Sequence, residues 1–333
     1  MRINKPIVVY IASSLALGLI AGYFFGTWRI QKHEQEVLAQ AKSIREKGGN
    51  YQFINPLLAY DLPESTEIGE YIDLTKQLND LIDLEKRQKN VDQVSIYFRG
   101  AKGRWVGIND YEKYYPASLL KVVVMIAYYQ QAQSNPEVLN KELLFNSQIQ
   151  NQVASSQFNV PSYLKLDNSY KVGDLIRDMI VDSDNGATFT LVAYLDNKVL
   201  NEVYSDLGLE VPDNTGNYVI SAKDYSLFFR ILYNATYLNR GYSEKALDLL
   251  SQTNYNNGLV AGLPDQTLLS HKFGEHIVTD SKGVQTSVEL HDCGIVYGKQ
   301  NLLLCVMTKG QQLPVLEKVI QEIAKLVYQE AEK

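Results

Sequence analysis

The sequence predicts an α/β (α+β) protein whose antiparallel sheet is built from both ends of the chain, flanked by helices, with an all-helical lobe inserted. Two observations predict this class. Strand patterns cluster near the two ends of the soluble part, at residues 94–98, 105–108, 268–273, 293–297 and 302–308. The stretch between Pro136 and Gln252 shows mostly helical periodicity. Strands at both ends with helices between them indicate one sheet with a helical insertion.

Three segments justify the flanking helices. Residues 71–87 place Leu74, Leu78 and Ile82 on one apolar face. Residues 119–129 are apolar on every side apart from one lysine, which is typical of a helix buried in a core. The final helix also has a continuous apolar face, made of Leu316, Val319, Ile320, Ile323 and Val327.

Composition limits the classes of function. The chain has 333 residues, of which 45% are hydrophobic and 21% are charged, as in an ordinary folded protein. Its formal net charge of -6 argues against a nucleic-acid partner. Two cysteines are too few for a disulfide scaffold or a zinc module. No metal and no cofactor are implied.

The N-terminal segment predicts a membrane anchor. No charged residue lies between Lys5 and Arg29, and a helix over residues 7–28 would extend about 33 Å, enough to cross a bilayer. A cleaved signal peptide is the alternative, but no convincing cleavage site follows. We therefore expect a short cytoplasmic tail (1–6), a transmembrane signal anchor (7–28), a charged, helix-prone stalk (29–50) and a folded domain (51–333).

The start of the buried helix carries a candidate nucleophile. Ser118 and Lys121 lie three residues apart, so both project from one face of the first turn. A serine hydroxyl is a weak nucleophile until a base takes its proton. A lysine amine serves as that base when burial or a neighbouring cation lowers its pKa. Taken alone, the motif is more typical of an N-cap serine followed by a surface lysine, because S-x-x-K occurs often by chance.

Two further motifs change that interpretation. Ser183-Asp184-Asn185 lies between helical stretches, and Lys272-Phe273-Gly274 lies on a predicted strand. The order S-x-x-K, S-D-N, K-x-G is that of the penicillin-recognising serine enzymes. On these motifs, residues 51–333 resemble class A β-lactamases and their penicillin-binding relatives. The resemblance implies a β-lactamase/transpeptidase-like fold and a serine hydrolase.

The resemblance also implies a role for each matched residue. Ser118 is expected to be the acylated nucleophile, and Lys121 its proton acceptor. Ser183 is expected to relay a proton to the leaving nitrogen, and Lys272 to place positive charge beside Ser183 and the substrate carboxylate.

Three residues are expected to bind substrate. Asn185 would hold the amide side chain of the substrate, and Gly274 and Glu275 would line the strand beside it. The backbone N–H groups of Ser118 and Glu275 would form the oxyanion hole.

The sequence departs from the family pattern at two places. The segment that should carry the deacylating glutamate is short, and Glu210 is only a weak candidate for that base. Phe273 replaces a hydroxyl residue that binds the substrate carboxylate, and its side chain has no hydrogen-bonding group. His291 could approach the site, although a surface histidine on a strand is the more ordinary interpretation.

The two cysteines flank a predicted hairpin. Cys293 and Cys305 are symmetric about Lys299 and could face each other across it. A cross-strand disulfide and two free buried thiols are both compatible with the pattern.

The sequence leaves the substrate open. We expect a membrane-anchored, extracytoplasmic enzyme acting through a Ser118 ester on a β-lactam or on a D-Ala-D-Ala-type peptidoglycan stem peptide. The alternative is a non-catalytic protein that binds the cell wall or a partner and keeps the same fold. A cleft filled by Phe273 would favour the binding protein. An open cleft with Lys121 and Ser183 both in hydrogen-bonding reach of Ser118 would favour the enzyme.

Overall fold

The chain divides into two compact units. A computed structural model describes residues 22–29, 32, 42–46, 51–61, 71–100, 105–155, 162–213, 218–280 and 282–333. The first unit comprises Met1–Ile44 and Ala59–Glu70, and the second comprises Arg45–Leu58 and Tyr71–Lys333.

The first unit includes part of the predicted anchor and stalk. Residues 22–29 are helical, while residues 1–21 of the predicted tail and anchor lie outside the described residues. Among the residues that are described, no helix is both long enough and apolar enough to cross a membrane. The unit contains most of two short paired strands, β1 (Lys42–Arg45) and β2 (Leu57–Asp61). A strand therefore occupies a segment predicted to be helix-prone.

The second unit is organised around a five-stranded antiparallel sheet with the order β4-β3-β11-β10-β9. Its strands are β3 (Gln93–Arg99), β4 (Trp105–Ile108), β9 (Leu268–Thr279), β10 (Gln285–Tyr297) and β11 (Leu302–Gly310). The two ends of the chain meet where β3 pairs with β11, with Ile96 opposite Val306. The prediction of a sheet built from both chain ends is confirmed.

One face of the sheet is covered by α1 (Ile72–Arg87) and the last helix, α10 (Leu313–Ala331). Their apolar faces pack with the sheet in one core cluster, which includes Leu78, Ile96 and Ile320. Burying each such side chain stabilises the fold by roughly 1.5–3 kcal/mol. The predicted apolar faces of both helices are the buried ones.

The other face is covered by a mainly helical lobe. Its helices are α2 (Lys121–Ser134), α3 (Ser147–Ser155), α4 (Val172–Val181), α5 (Asn185–Tyr194), α6 (Asn197–Asp206), α7 (Ala222–Tyr233), α8 (Arg240–Ser251) and α9 (Leu259–Gly262). As predicted, the first half of α2 is buried on every side. A helix surrounded in this way gives the site a rigid, apolar floor.

The sequence predicted an all-helical lobe, and this part of the prediction is wrong. Two small antiparallel sheets accompany its helices. One pairs β5 (Lys113–Tyr114) with β8 (Ile220–Ser221), and the other pairs β6 (Glu142–Phe145) with β7 (Asn168–Lys171). Strands of two to four residues are too short to show a clear two-residue period, which is why the sequence did not reveal them.

The two cysteines face each other across the sheet. Cys293 on β10 lies opposite Cys305 on β11, and the two form a disulfide. Both are completely buried. The structure thus selects the disulfide from the two states that the sequence left open.

Candidate active site

The turn that carries Ser118 lies where the sheet meets the helical lobe. Ala117–Leu120 form a short 3₁₀ helix that leads into α2, and Ser118 is half-buried within it. Ala117 has a φ of 50°, a conformation that costs a residue with a Cβ about 1–3 kcal/mol. Such a conformation persists only where surrounding contacts enforce it, so the setting of Ser118 depends on its neighbours.

Two buried side chains of β10 hold the backbone just before this turn. Tyr115 N donates to Glu289 Oε2 at 3.0 Å, and Tyr115 O accepts from His291 Nε2 at 3.0 Å. A carbonyl only accepts, so the proton of the His291 ring lies on Nε2. Together these contacts fix the path of the chain into the serine turn.

His291 is therefore not the surface histidine that its strand position suggested. It is completely buried, and burial lowers its pKa to about 4 despite the opposing effect of Glu289. The ring is neutral at neutral pH. Its contact is with the backbone of Tyr115, so it positions the turn.

Close packing of β9 against the turn explains why Gly274 is a glycine. A Cβ at this position would lie 2.7 Å from Pro116 O and 3.1 Å from Leu119 Cγ. Any larger residue would push the strand away from the serine turn. The missing side chain thus brings the backbone of β9, including Gly274 and Glu275, up to the segment that bears Ser118.

The amine of Lys121 lies at the centre of the predicted motifs. Nζ forms hydrogen bonds with Ser183 O at 2.6 Å, Ser183 Oγ at 2.9 Å and Asn185 Oδ1 at 2.8 Å. Lys121 is only 4% exposed. The first and second motifs, more than 60 residues apart in sequence, are joined directly by this amine.

The third motif reaches the same serine. Lys272 Nζ donates to Ser183 Oγ at 3.0 Å and to Phe273 O at 3.2 Å. Ser183 has a φ of 55°, an uncommon backbone conformation for a residue with a side chain. Because both lysines bond to Ser183 Oγ, this oxygen lies between the amines of Lys121 and Lys272.

Burial and like charge together lower the pKa of Lys121 well below its usual value. Burial is the larger cause and the charge of Lys272 the second, while Asp184 opposes them. Burial also lowers the pKa of Lys272 to about 7, against an opposing effect of Asp292. The lowered pKa of Lys121 makes its neutral amine, which can accept a proton, more accessible than that of an exposed lysine.

The helix that follows Ser183 is held by its own cap. Asp184 is the N-cap of α5, and its Oδ1 accepts from Ala187 N at 2.8 Å. Its Oδ2 accepts from Tyr163 N at 2.7 Å. Because Asn185 is the first helical residue, this cap sets the direction of the amide that contacts Lys121.

Ser118 Oγ is the one predicted catalytic group that stands apart from this network. Among the described residues, no hydrogen bond joins it to Lys121 or Ser183. Those two are instead bonded to each other. The expectation for an enzyme was that Lys121 and Ser183 both lie in hydrogen-bonding reach of Ser118. The structure brings Lys121 and Ser183 together but shows neither of them bonded to Ser118.

The ring of Phe273 lies beside Lys272 and against a second ring. It stacks on Tyr255 with centroids 4.0 Å apart and planes 16° apart. Lys272 Nζ lies 4.2 Å from the centroid of the Phe273 ring. Phe273 is thus one half of an aromatic pair at the end of the lysine–serine network.

The structure does not bring Glu210 into the network. Its carboxylate is 75% exposed and forms an ion pair with Lys113 at 2.8 Å. No hydrogen bond within the described residues links it to Ser118, Lys121 or Ser183. Glu275, by contrast, follows Gly274 on β9 and is half-buried, where burial raises the pKa of its carboxyl.

Sequence reasoning missed a buried pair in the strands next to Lys272. His271 Nδ1 and Asp292 Oδ1 are 2.8 Å apart, and both side chains are almost fully buried. Asp292 Oδ2 also accepts from Leu259 N at 3.0 Å. Asp292 belongs to no motif, and His271 directly precedes the K-x-G motif without a predicted role. Only the strand register, which places Asp292 opposite Phe273, reveals their position.

The fold matches solved structures of β-lactamases and of PBP-A. PBP-A is 22% identical, with a TM-score of 0.68 over 80% of this chain and 98% of that one. A PBP-A mutant solved as an acyl-enzyme complex with penicillin G is 22% identical, with a TM-score of 0.66 over 80% and 99%. TLA-3 extended-spectrum β-lactamase is 20% identical, with a TM-score of 0.67 over 78% and 100%.

At these identities the structural matches establish the fold. No curated protein matches the chain. A family model described as the β-lactamase enzyme family matches residues 73–331, which include all three motifs and every strand of the main sheet. The chain therefore belongs to the β-lactamase enzyme family.

Proposed function

We propose that this protein is a serine hydrolase that transfers an acyl group from a strained or activated amide to Ser118. The convergence of Lys121 and Lys272 on Ser183 Oγ carries the proposal. Two buried lysines on one hydroxyl serve no evident need of stability, because removing charge from water costs free energy. They provide what acyl transfer needs, a base and a route for its proton.

Lys121 is the base in this proposal. In its neutral form, the amine keeps two N–H groups, which Ser183 O and Asn185 Oδ1 accept. Its lone pair then faces the hydroxyl of Ser183, 2.9 Å away, and in this proposal it turns to the hydroxyl of Ser118 to take the proton. When a substrate enters, we expect Ser118 Oγ to approach this lone pair, since catalytic hydrogen bonds often tighten only in the complex.

The proton then follows the network to the leaving group. As Ser118 Oγ forms its bond to the carbonyl carbon, Lys121 accepts the serine proton. Ser183 Oγ passes a proton to the departing nitrogen as the carbon–nitrogen bond breaks, and takes one back from Lys121. The charge of Lys272, 3.0 Å from Ser183 Oγ, favours this transfer by stabilising negative charge on that oxygen.

We further propose a penicillin-type β-lactam or a D-Ala-D-Ala-type stem peptide as acyl donor, with slow deacylation. Glu210 is exposed and paired with Lys113, which leaves it poorly placed to activate water. Among the described residues, no carboxylate hydrogen-bonds to Lys121. A PBP-A mutant forms an acyl-enzyme with penicillin G, which makes this drug a suitable probe.

The location proposed for this chemistry is outside the cell membrane. The uncharged sequence of residues 7–28 supports a single-pass anchor, and peptidoglycan and β-lactams lie beyond the inner membrane. Protease added to intact cells should cleave the folded domain of an extracytoplasmic protein. Protection of the domain in intact cells, with cleavage only after lysis, would contradict this location.

Mass spectrometry of the intact full chain tests the acyl transfer. The chain is incubated with excess penicillin G, and its mass is followed over time beside the Ser118→Ala variant. We expect an adduct of one drug mass that persists, and none in the variant. An adduct that clears while the drug is consumed would indicate a β-lactamase with another deacylating group. No adduct and no consumption would favour the non-catalytic binding protein.

A further inference from the structure

The amine of Lys272 has no side left open for a ligand carboxylate. As an ammonium it has three N–H groups. Two are donated to Ser183 Oγ and Phe273 O, and the ring of Phe273 lies 4.2 Å away. Within the described part of the chain, these three contacts account for the whole group. Lys272 is also completely buried.

The surface next to this amine is aromatic. The ring of Phe273 stacks on Tyr255, and both side chains are partly exposed. The hydroxyl of Tyr255 is already engaged, because it donates to Glu317 Oε1 at 3.2 Å. This aromatic pair, Phe273 and Tyr255, therefore presents carbon to a ligand and no free hydrogen-bond donor.

We infer that, among the β-lactam and stem-peptide donors proposed above, the aromatic pair makes this site react faster with those that are neutral and apolar beside the scissile bond, and more slowly with those that carry a free carboxylate there, such as penicillin G itself. The inference rests on the proposed acyl transfer to Ser118. A carboxylate against the pair would lose water without gaining a donor, which is unfavourable. An ester or an apolar group loses little water and gains contact with two rings.

Two forms of one drug isolate this effect. Penicillin G and its methyl ester share the same β-lactam. In both, the Ser118 Oγ–carbon bond forms, the lactam carbon–nitrogen bond breaks, and the serine proton ends on the released nitrogen. A difference in their acylation rates therefore reports the group beside the scissile bond.

The experiment compares rate constants for adduct formation on the intact full chain. For the wild-type protein we expect the methyl ester to react at least as fast as the acid. Phe273→Thr supplies a hydroxyl donor and should raise the rate for the acid about tenfold or more relative to the ester. Phe273→Leu, which removes the ring without adding a donor, should keep the wild-type order.

The outcomes separate the inference from the proposed function. A wild-type protein that prefers the acid about tenfold would overturn the inference while leaving acyl transfer intact. A Phe273→Thr variant that reacts with the ester as the wild type does, but gains nothing for the acid, would also overturn it. If neither form labels Ser118, acyl transfer itself fails and the inference fails with it.

Discussion

Lys121 and Lys272 share one hydrogen-bond partner: the amine of Lys121 lies 2.9 Å from Ser183 Oγ, and that of Lys272 lies 3.0 Å from the same atom. The two amines come from a helix and from the edge strand of the sheet. Two ammonium groups that contact the same oxygen repel each other, and the repulsion is strong where water is excluded. The network is therefore most stable when one of the two amines is neutral.

Removing the charge of Lys272 should weaken Lys121 as a base. In Lys272→Ala, both the neighbouring charge and part of the burial are lost, so the pKa of Lys121 rises. The acid limb of the pH–rate profile for Ser118 acylation should then move to higher pH, with a loss of about 100-fold at pH 7.

Mass spectrometry of samples quenched at successive times after addition of penicillin G methyl ester measures this profile. The ester is used because it has no carboxylate whose charge could affect the rate. Lys272→Arg keeps the positive charge and should leave the acid limb near its wild-type position. An unchanged acid limb in Lys272→Ala would show that Lys272 does not tune the base.

A methyl group at residue 274 should separate β9 from the serine turn. The Cβ of Gly274→Ala would meet Pro116 O at 2.7 Å, and relief of such overpacking costs about 1–3 kcal/mol of unfolding free energy. Acylation should fall by more than the stability loss explains, because the backbone of Glu275 moves away from Ser118.

Urea unfolding and adduct formation on the same samples test this expectation. Gly241→Ala is the matched control, since its Cβ would lie 3.5 Å from the nearest atom and φ there needs no glycine. If Gly274→Ala were as stable and as reactive as Gly241→Ala, the close approach of β9 would have no functional role.

His291 should make the fold sensitive to acid. Its pKa is about 4 in the folded protein and near 6.5 in the unfolded chain. The unfolded state therefore binds the proton first, and stability falls as pH drops below about 6.5, by up to ~3 kcal/mol near pH 4. His291→Gln keeps a donor for Tyr115 O and should flatten this part of the curve.

Urea unfolding at a series of pH values from 7.5 to about 4 reads out the difference between the two proteins. Other titrating groups affect both proteins alike, so the difference isolates His291. Parallel curves would mean that His291 is charged, or equally protonated in both states, and would contradict the neutral ring assigned to it.

Reduction of the disulfide should lower stability and leave the chemistry in place. The Cys293–Cys305 bond closes a loop with a sequence separation of 12, and closure of a loop of this size contributes about 3 kcal/mol at most. Both cysteines lie within paired strands, so the ladder should hold the hairpin after reduction.

Urea unfolding with and without reductant measures the contribution of the disulfide to the free energy of unfolding. The double variant Cys293→Ala/Cys305→Ala is the reference, because reductant cannot affect it. Acylation of Ser118 by the reduced protein should stay within about threefold of the oxidised rate, which is roughly 0.7 kcal/mol. A reduced protein that stayed folded but lost acylation would show that the disulfide shapes the site.

The sequence revealed the large features of the fold because these have a clear period. The apolar faces of α1 and α10 recur every three to four residues, and the continuous apolar run of α2 indicated burial. The small sheets were hidden because β5 and β8 have two residues each. The strand β1 was hidden by a charged sequence that is equally compatible with a helix.

In the candidate site, motifs located the groups, while register and packing decided their contacts. The three motifs predicted that Lys121, Ser183 and Lys272 lie together. No local pattern placed Tyr255 against Phe273, since the two are 18 positions apart and the first lies in a loop. Burial of His291 likewise depends on which elements cover β10, and that is a property of the whole fold.

Pairing of β3 with β11 also dictates when the molecule can fold. Ile96 on β3 pairs with Val306 on β11, about 210 positions later in the sequence. The β11 side of β3 therefore stays unpaired until that part of the chain is present. Contacts this distant in sequence slow folding. A chain emerging from the ribosome therefore cannot complete its central sheet until nearly every residue has been synthesised.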